Sequence, residues 1–333
     1  MTHQQWVANQ LGISMENLGW QPLSGDASFR RYFRCRAGER SFMFALAPPE
    51  KEKNREFVAV AGLLGRSGVL APKVVAVDFD HGYILQQDFG DTLLRQKLDD
   101  TSVDYWYRKA MVQIVQMLAI PPQELAFLPP YDEAALALEL SYFRTWFLEA
   151  MLGYPLTPDE EVLVNDFFAL LLESALEQPC RFVHRDYHSR NIMVTAEGEL
   201  ATIDFQDALR GPFTYDLVSL LRDCYVVWPE SQVAGWVEVF RQQLVLQGVT
   251  DADSARFKRW FDLMGLQRHI KVLGIFARLS LRDGKHGYLN DLPTVVNYVR
   301  TVAAVHADVA AFLGWFDRKI LPLAKQQPWG EKL

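Results

Sequence analysis

One stretch of the chain concentrates groups able to do chemistry: His184-Arg185-Asp186-Tyr187-His188-Ser189-Arg190-Asn191, followed thirteen residues later by Asp204. Phosphoryl transfer asks for one carboxylate beside the acceptor hydroxyl and for hard oxygen ligands that hold a magnesium ion against nucleotide phosphates. Asp186 is the candidate base. Asn191 precedes the apolar run Ile192–Thr195 and Asp204 follows Leu200–Ile203. Two adjacent strands joined by a turn would therefore bring both to one ion while Asp186 faces the acceptor. A chain of this composition yields roughly 0.01 chance matches to H-x-D-x-x-x-x-N. The plainer alternative, in which Asp186 caps a turn and Asp204 ends a strand, leaves that spacing unexplained.

The flanking chain must supply the elements that position these groups. Residues 3–18 read as a short helix. Trp20–Leu23, Arg31–Cys35 and Ser41–Leu46 are short aromatic and apolar runs separated by Ser24-Gly25-Asp26 and Ala37-Gly38-Glu39, which predicts an antiparallel meander. Glu50–Leu64 has helical spacing, and Pro72–Phe79 with Gly82–Gln87 adds two strands. Long helical patterns follow over Val103–Leu118, Asp132–Leu152 and Thr157–Leu176. The last opens on a capping box, Thr157 with Glu160, and has Pro158 at its first helical position. Strand-like segments return at Arg181–His184, Ile192–Thr195 and Leu200–Ile203, and helical patterns fill Asp216–Phe316. The expectation is an α+β architecture of two lobes. Residues 1–88 make a small antiparallel-sheet lobe with one main helix, and 89–333 a large helical lobe carrying the catalytic loop. A hinge falls at about 86–91.

The chain of 333 residues carries 34 Lys and Arg against 41 Asp and Glu, a formal charge of −7. Nucleic acid and anionic membranes both need a basic footprint, so the expected partner is a small molecule. Half the residues are apolar and Gly and Pro number 20 and 16, which excludes a disordered or low-complexity chain. Cys35, Cys180 and Cys224 lack disulfide-framework or zinc spacing, pointing to a reducing, cytoplasmic compartment. No basic-then-apolar leader opens the sequence, and the most apolar segment, Thr301–Phe316, is too short to span a bilayer. A monomer is expected.

Further strings extend the catalytic pattern over almost the whole chain: Ser24-Gly25-Asp26-Ala27-Ser28-Phe29-Arg30-Arg31-Tyr32-Phe33-Arg34, Pro48-Pro49-Glu50-Lys51-Glu52, Gln87-Asp88-Phe89-Gly90, Ile203-Asp204-Phe205-Gln206-Asp207, Tyr215 to Asp223 and Gln267 to Phe276. With them the sequence resembles the aminoglycoside phosphotransferase-like kinases, which share the two-lobed protein-kinase-like fold and phosphorylate hydroxyls of small molecules. Within that group it is similar to the anomeric kinases acting on N-acetylmuramate and N-acetylglucosamine in bacterial cell-wall recycling. The resemblance implies use of ATP and Mg2+ and transfer to the C1 hydroxyl of the amino sugar. The product would be a sugar 1-phosphate that a nucleotidyltransferase converts to a UDP-sugar.

Two departures from the wider kinase pattern concern the nucleotide. The phosphate loop has one glycine, Gly25, and the strand Ser41–Leu46 has no Lys to meet the phosphates. Polyphosphate still needs positive charge. Either Arg30 or Arg31 is expected to supply it, with Ser24, Gly25, Asp26 and Ser28 over the phosphates; a solvated edge-strand charge is the alternative. Gln87, Asp88 and Phe89 fit a hinge whose main chain meets the adenine.

On the acceptor side, eight basic residues against two acidic ones lie between Arg256 and Lys285. At 100° per residue Arg268, Lys271, Arg278, Arg282 and Lys285 form one stripe, which suits an anionic sugar or is a solvated helix face. His188, Asp207, Arg222 and Asp223 are candidates for sugar hydroxyls, with Tyr225 and Trp228 as aromatic faces. Two rival functions stay open: the same fold acting on an aminoglycoside, choline or homoserine, and a catalytically silent nucleotide-binding module. The complete set Asp186, Asn191 and Asp204 argues against the second. Nothing after Asp204 resembles the A-P-E end of a protein-kinase activation segment.

Overall fold

A computed structural model describes residues 1–23 and 29–333. The candidate phosphate-loop residues Ser24, Gly25, Asp26 and Ser28 lie outside the described residues. In chain order the strands are β1 Leu18–Pro22, β2 Arg31–Ala37, β3 Arg40–Leu46, β4 Val74–Asp78, β5 Tyr83–Gln87, β6 Cys180–Val183, β7 Ile192–Val194, β8 Leu200–Thr202 and β9 Leu209–Pro212. The helices the site depends on are α1 His3–Leu11, α2 Asn54–Arg66, α3 Val103–Leu118, α4 Glu133–Tyr142, α5 Pro158–Leu176, α6 Tyr215–Leu221, α7 Glu230–Leu246, α8 Ser254–Asp283 and α9 Leu292–Ala303. The fold is α+β, with a small antiparallel sheet lobe and a helical lobe.

Two compact units divide the chain: Met1–Met117 with His184–Ala208, and Leu118–Val183 with Leu209–Leu333. The boundary at residue 88 was drawn by composition, whereas these units are drawn by packing. By packing, most of α3 and the catalytic segment go with the sheet.

In the first unit the five strands run in the order β1-β2-β3-β5-β4, all antiparallel. Period-two alternation sends Phe33, Cys35, Phe44 and Leu85 to the face that α1 covers with Trp6 and Val7. Tyr32 and Arg34 take the other face. α1 stops at Leu11, short of the expected residue 18, because Gly12 turns the chain left-handed at φ 66° and caps Ala8 and Asn9. α2 starts at Asn54, four residues later than expected; the Asn54 amide bonds the Ala47 carbonyl at 2.8 Å across the intervening turn.

The hairpin β7–β8 pairs Ile192 with Thr202 and Val194 with Leu200. α3 holds it from below: Gln113 Nε2 donates to the Leu200 carbonyl at 2.5 Å and Lys109 Nζ to the Gly198 carbonyl at 2.7 Å. Tyr187, fully buried, donates from its hydroxyl towards the Ala110 carbonyl and Gln113 Oε1. Buried backbone groups left unpaired are costly, so these bonds fix the hairpin's height as well as its register.

The second unit is built round α8, whose 30 residues span about 45 Å at 1.5 Å per residue. The expected capping box at Thr157 and Glu160 is present at the start of α5. The strand β9, which pairs antiparallel with β6, was absent from the sequence reading: Leu209-Arg210-Gly211-Pro212 has no alternation to reveal it. Among the described residues no single helix is long and apolar enough to cross a membrane.

Gly274, in the middle of α8, sits where the helix crosses the end of α4. A Cβ there would lie 2.3 Å from the Tyr142 carbonyl carbon and 2.5 Å from the Phe143 nitrogen. Helix propensity alone would favour Ala by about 1 kcal/mol. The crossing reverses that, and Gly274→Ala is expected to destabilise the protein by about 1–3 kcal/mol, the usual range for overpacking. Chemical denaturation of the two proteins checks it; equal or higher stability would show that the helices can move apart at no cost.

Candidate active site

The catalytic segment is held in an unusual backbone. Among the described residues, Arg185 (φ 77°) and Asp204 (φ 66°) are the two non-glycine positions in the left-handed region. L-residues pay for that conformation and keep it where surrounding bonds over-determine it, commonly at functional sites. Here the bonds are explicit. Ile203 N–H donates to the Asn191 carbonyl at 3.0 Å, Asn191 N–H to the His188 carbonyl at 2.8 Å, and Asn191 Nδ2 to the Asp186 carbonyl at 3.0 Å. His184 is wholly buried and shares a 2.9 Å hydrogen bond with the Thr202 hydroxyl, bracing the loop against β8. Burial pushes its pKa down to about 4.

The candidate residues Asp186, Asn191 and Asp204 lie near one another, with the Asp186 charge felt at Asp204. Asn191 Nδ2 also reaches Asp204 Oδ2 at 3.3 Å, and Gln206 Nε2 donates to Asp204 Oδ1 at 2.9 Å. The Asn191 amide nitrogen is thus turned inward, which leaves its oxygen as the group that can meet a cation. Asp204 is exposed at one side, but the protein packed round it raises its pKa, and the nearby Asp186 charge adds to the rise. A divalent cation among these oxygens would relieve both effects. Among the described residues no cluster of three or more His, Cys, Asp or Glu could hold a metal by itself, and Mg2+ is commonly bound by one or two protein oxygens together with substrate phosphates. Asn191 and Asp204 fit that pattern.

Of the two candidate phosphate cations, Arg31 is exposed, and its charge is felt by His3 at α1. Arg30 lies with the catalytic groups: Nη1 donates to Gln206 Oε1 at 3.1 Å and Nε pairs with Glu52 Oε2 at 3.1 Å. Arg34, on the same face, pairs with Asp88 at 2.7 Å and Asp91 at 2.8 Å. At the expected hinge segment, Gln87 N–H is bonded to the Lys73 carbonyl at 2.9 Å, Phe89 is half-buried, and Asp88 also accepts from the Ser41 hydroxyl and Gly90 N–H. Burial opposes ionisation of Asp88, but the bonds from Arg34 and Ser41 outweigh it and its pKa falls.

His188 is half-buried in the catalytic loop. Asp207 makes a partly exposed ion pair with Lys53, 2.7 Å, which ties the residue after Gln206 to the turn before α2. Glu52, Lys53 and Gln206 had no assigned role in the sequence reading. Glu52 and Gln206 both lie in segments that carry the family resemblance, but nothing local distinguishes Glu52 from its charged neighbours.

Arg222, Asp223, Arg268 and Lys271 all belong to the second unit, on α8 and at the end of α6. The basic stripe is not one solvated face. Arg268 and Lys271 are buried, 8 % and 5 % exposed, whereas Arg282 is exposed and paired with Asp283. Arg268 donates to the Ser219 hydroxyl at 2.8 Å; Lys271 bonds the Tyr215 hydroxyl at 2.9 Å and pairs with Glu139 at 3.1 Å. Arg222 bridges Asp262 at 2.8 Å and Glu230 at 2.5 Å and lies over the Phe261 ring. Asp223 accepts from Tyr225 N–H at 3.0 Å, and Trp228 packs edge-on against Trp236. A helical wheel gives the direction of a side chain but not what faces it, so Glu139 was not foreseen and Asp262, one of the two acidic residues counted in that stretch, was not seen as the partner of Arg222.

A sheet lobe and a helical lobe, with an aspartate, an asparagine and a second aspartate gathered by one hairpin, define a phosphotransferase acting on a hydroxyl. Residues 19–257 match the model of the Phosphotransferase enzyme family, and the chain belongs to that family. It is 41 % identical over 290 residues to the N-acetylmuramate/N-acetylglucosamine kinase of Pseudomonas aeruginosa, covering 87 % of this chain and 85 % of the relative. With the enzyme of that name from Pseudomonas putida it shares 36 % identity, with 92 % of each chain covered. The choline kinase of Streptococcus pneumoniae has the same fold, with a TM-score of 0.61 at 14 % identity, covering 90 % of this chain and all of the other.

The buried histidines give a pH signature. His184 and His269 have pKa values lowered by burial from 6.5 to about 4 and about 3. Between pH 6.5 and about 4.5 the unfolded chain takes up protons there that the folded one refuses, so stability falls as pH falls through that window. Carboxylates with lowered values, such as Glu160 at about 2, lose their contribution only below it. In His269→Phe, which keeps a ring against Tyr298, the decline of Tm from pH 7 to 4.5 is expected to be shallower; an unchanged slope would clear His269.

Proposed function

We propose that this chain transfers the γ-phosphoryl group of ATP to the anomeric C1 hydroxyl of N-acetylmuramate or N-acetylglucosamine. The observation that carries the chemistry is the convergence of Asp186, Asn191 and Asp204 on one braced hairpin. Asp186 takes the acceptor hydroxyl as a hydrogen-bond donor, orients its oxygen and accepts its proton as the bond to phosphorus forms. Asn191 and Asp204 would hold Mg2+, which when bound would neutralise charge on the nucleotide phosphates. The transition state is loose, so positioning and charge supply most of the rate. Arg30 stands in for the absent third-strand lysine.

The acceptor rests on the names of relatives 36–41 % identical over most of the chain. The C1 phosphate would then be substrate for a nucleotidyltransferase making a UDP-sugar.

Phosphorus NMR of the product with each sugar tests the reading, since the shift and coupling report acceptor, position and anomer together. Phosphate at C1 is expected; phosphate on another hydroxyl, or turnover only with choline or an aminoglycoside, would overturn it. Asp186→Asn is expected to fold normally and lower kcat by about 10²–10⁴, and near-normal turnover would remove Asp186 from its role. Asp204→Ala should abolish Mg2+-supported turnover, measured across a magnesium titration; an unchanged dependence would place the metal elsewhere.

A further inference from the structure

We propose that Glu52 is the positioning residue of the nucleotide site, setting the cation Arg30 and the exit of segment 24–28 in one fixed relation. This rests on the reading of Arg30 as the phosphate cation and extends it to a group with no chemistry of its own.

The geometry is a single carboxylate used at both ends. Glu52 Oε1 accepts from Phe29 N–H at 3.0 Å, the first backbone amide after segment 24–28, and Oε2 pairs with Arg30 Nε at 3.1 Å. The pair is enclosed, with side chains 3 % and 10 % exposed, and Arg30 also lies over the Phe57 ring at 5.1 Å. A guanidinium has five N–H donors in a rigid plane. Gln206 accepts from its Nη1 and the Glu52 carboxylate stands against its Nε edge as an ion pair, so one hydrogen bond and one charge together hold the group. Gln206 in turn donates to Asp204, which makes one continuous line, Glu52–Arg30–Gln206–Asp204, from the turn before α2 to the candidate metal ligand.

Protein kinases put their phosphate-pairing charge on a third-strand lysine held by a helix glutamate. Here β3 runs Arg40-Ser41-Phe42-Met43-Phe44-Ala45-Leu46, and its basic residue, Arg40, is exposed at the end beside the turn into β2. Lys53 is engaged by Asp207. The charge has moved to the start of β2, next to the phosphate loop in sequence, and the glutamate to the turn before the helix. An arginine on so short a tether, one residue beyond Phe29, needs its plane fixed to present its donors in one direction. The same carboxylate that pairs with it also accepts from Phe29 N–H.

The test compares Arg30→Ala, Glu52→Gln, Glu52→Asp and the double variant Arg30→Ala/Glu52→Gln in the full-length protein. ATP affinity is read by calorimetry without acceptor, and KM for ATP, KM for sugar and kcat by turnover. Glu52→Gln can still accept from Phe29 N–H but loses the charge on Arg30, so a rise of about tenfold in Kd and KM for ATP is expected, with the sugar KM unchanged. Glu52→Asp, which keeps the charge, should recover part of the loss. The double variant should be no worse than Arg30→Ala alone, because Glu52 acts through Arg30. Loss of ATP affinity in Arg30→Ala but none in Glu52→Gln would overturn the role of Glu52 and leave Arg30 in place. Additive losses in the double variant would do the same. No effect from Arg30→Ala would overturn the reading of Arg30 itself.

Discussion

Two acidic side chains brought close together repel unless positive charge is supplied, and this constraint governs the first unit. Burial raises the Asp204 pKa, and the nearby Asp186 charge raises it further. The surroundings answer it in layers. Gln206 and Asn191 point N–H groups at Asp204. Arg30 stands one residue further out, its own charge balanced by Glu52. The remaining imbalance is what a cation bound with nucleotide phosphates would cancel.

The backbone carries part of the same load. Arg185 and Asp204 are left-handed without being glycines, and each stays so because its neighbours are pinned, by β8 and His184 on one side and by α3 on the other. Stability is here spent on aim. Tyr187 shows the scale of the commitment: a whole aromatic ring is buried so that its hydroxyl can tie the loop to α3.

Much of the catalytic hairpin was legible in the sequence because its information is local. Asp186, Asn191 and Asp204 lie within nineteen positions, and short apolar strands on either side of a turn leave little choice of geometry. Helix bodies were legible for the same reason, though the end of α1 was not: the apolar period runs on past Gly12, and only the left-handed turn there stops it. Long-range pairing was silent. Arg30 meets a residue 176 positions away and Phe29 one 23 positions away, and no periodicity encodes such partners. The five-residue basic stripe read from the pattern does not share one environment. Two of its members, Arg268 and Lys271, are interior, and there Lys271 is matched by Glu139. Burying charges is unfavourable unless they are paired and hydrogen-bonded, so the partners that the pattern could not show are what make the burial tolerable.

Helix α8 also limits how this chain can vary in length. Arg268, Lys271 and Gly274 meet three different neighbours, Ser219 on α6, Glu139 on α4 and the Tyr142–Phe143 backbone, and all three contacts depend on a common angular phase. One residue inserted just before Arg268 would rotate everything beyond it by 100°. The lysine would leave its carboxylate, and a side chain would replace the glycine at the crossing. Substitutions can be absorbed one contact at a time, whereas an insertion breaks every downstream contact at once. In this fold, length changes belong to the loops, and the central helix keeps count.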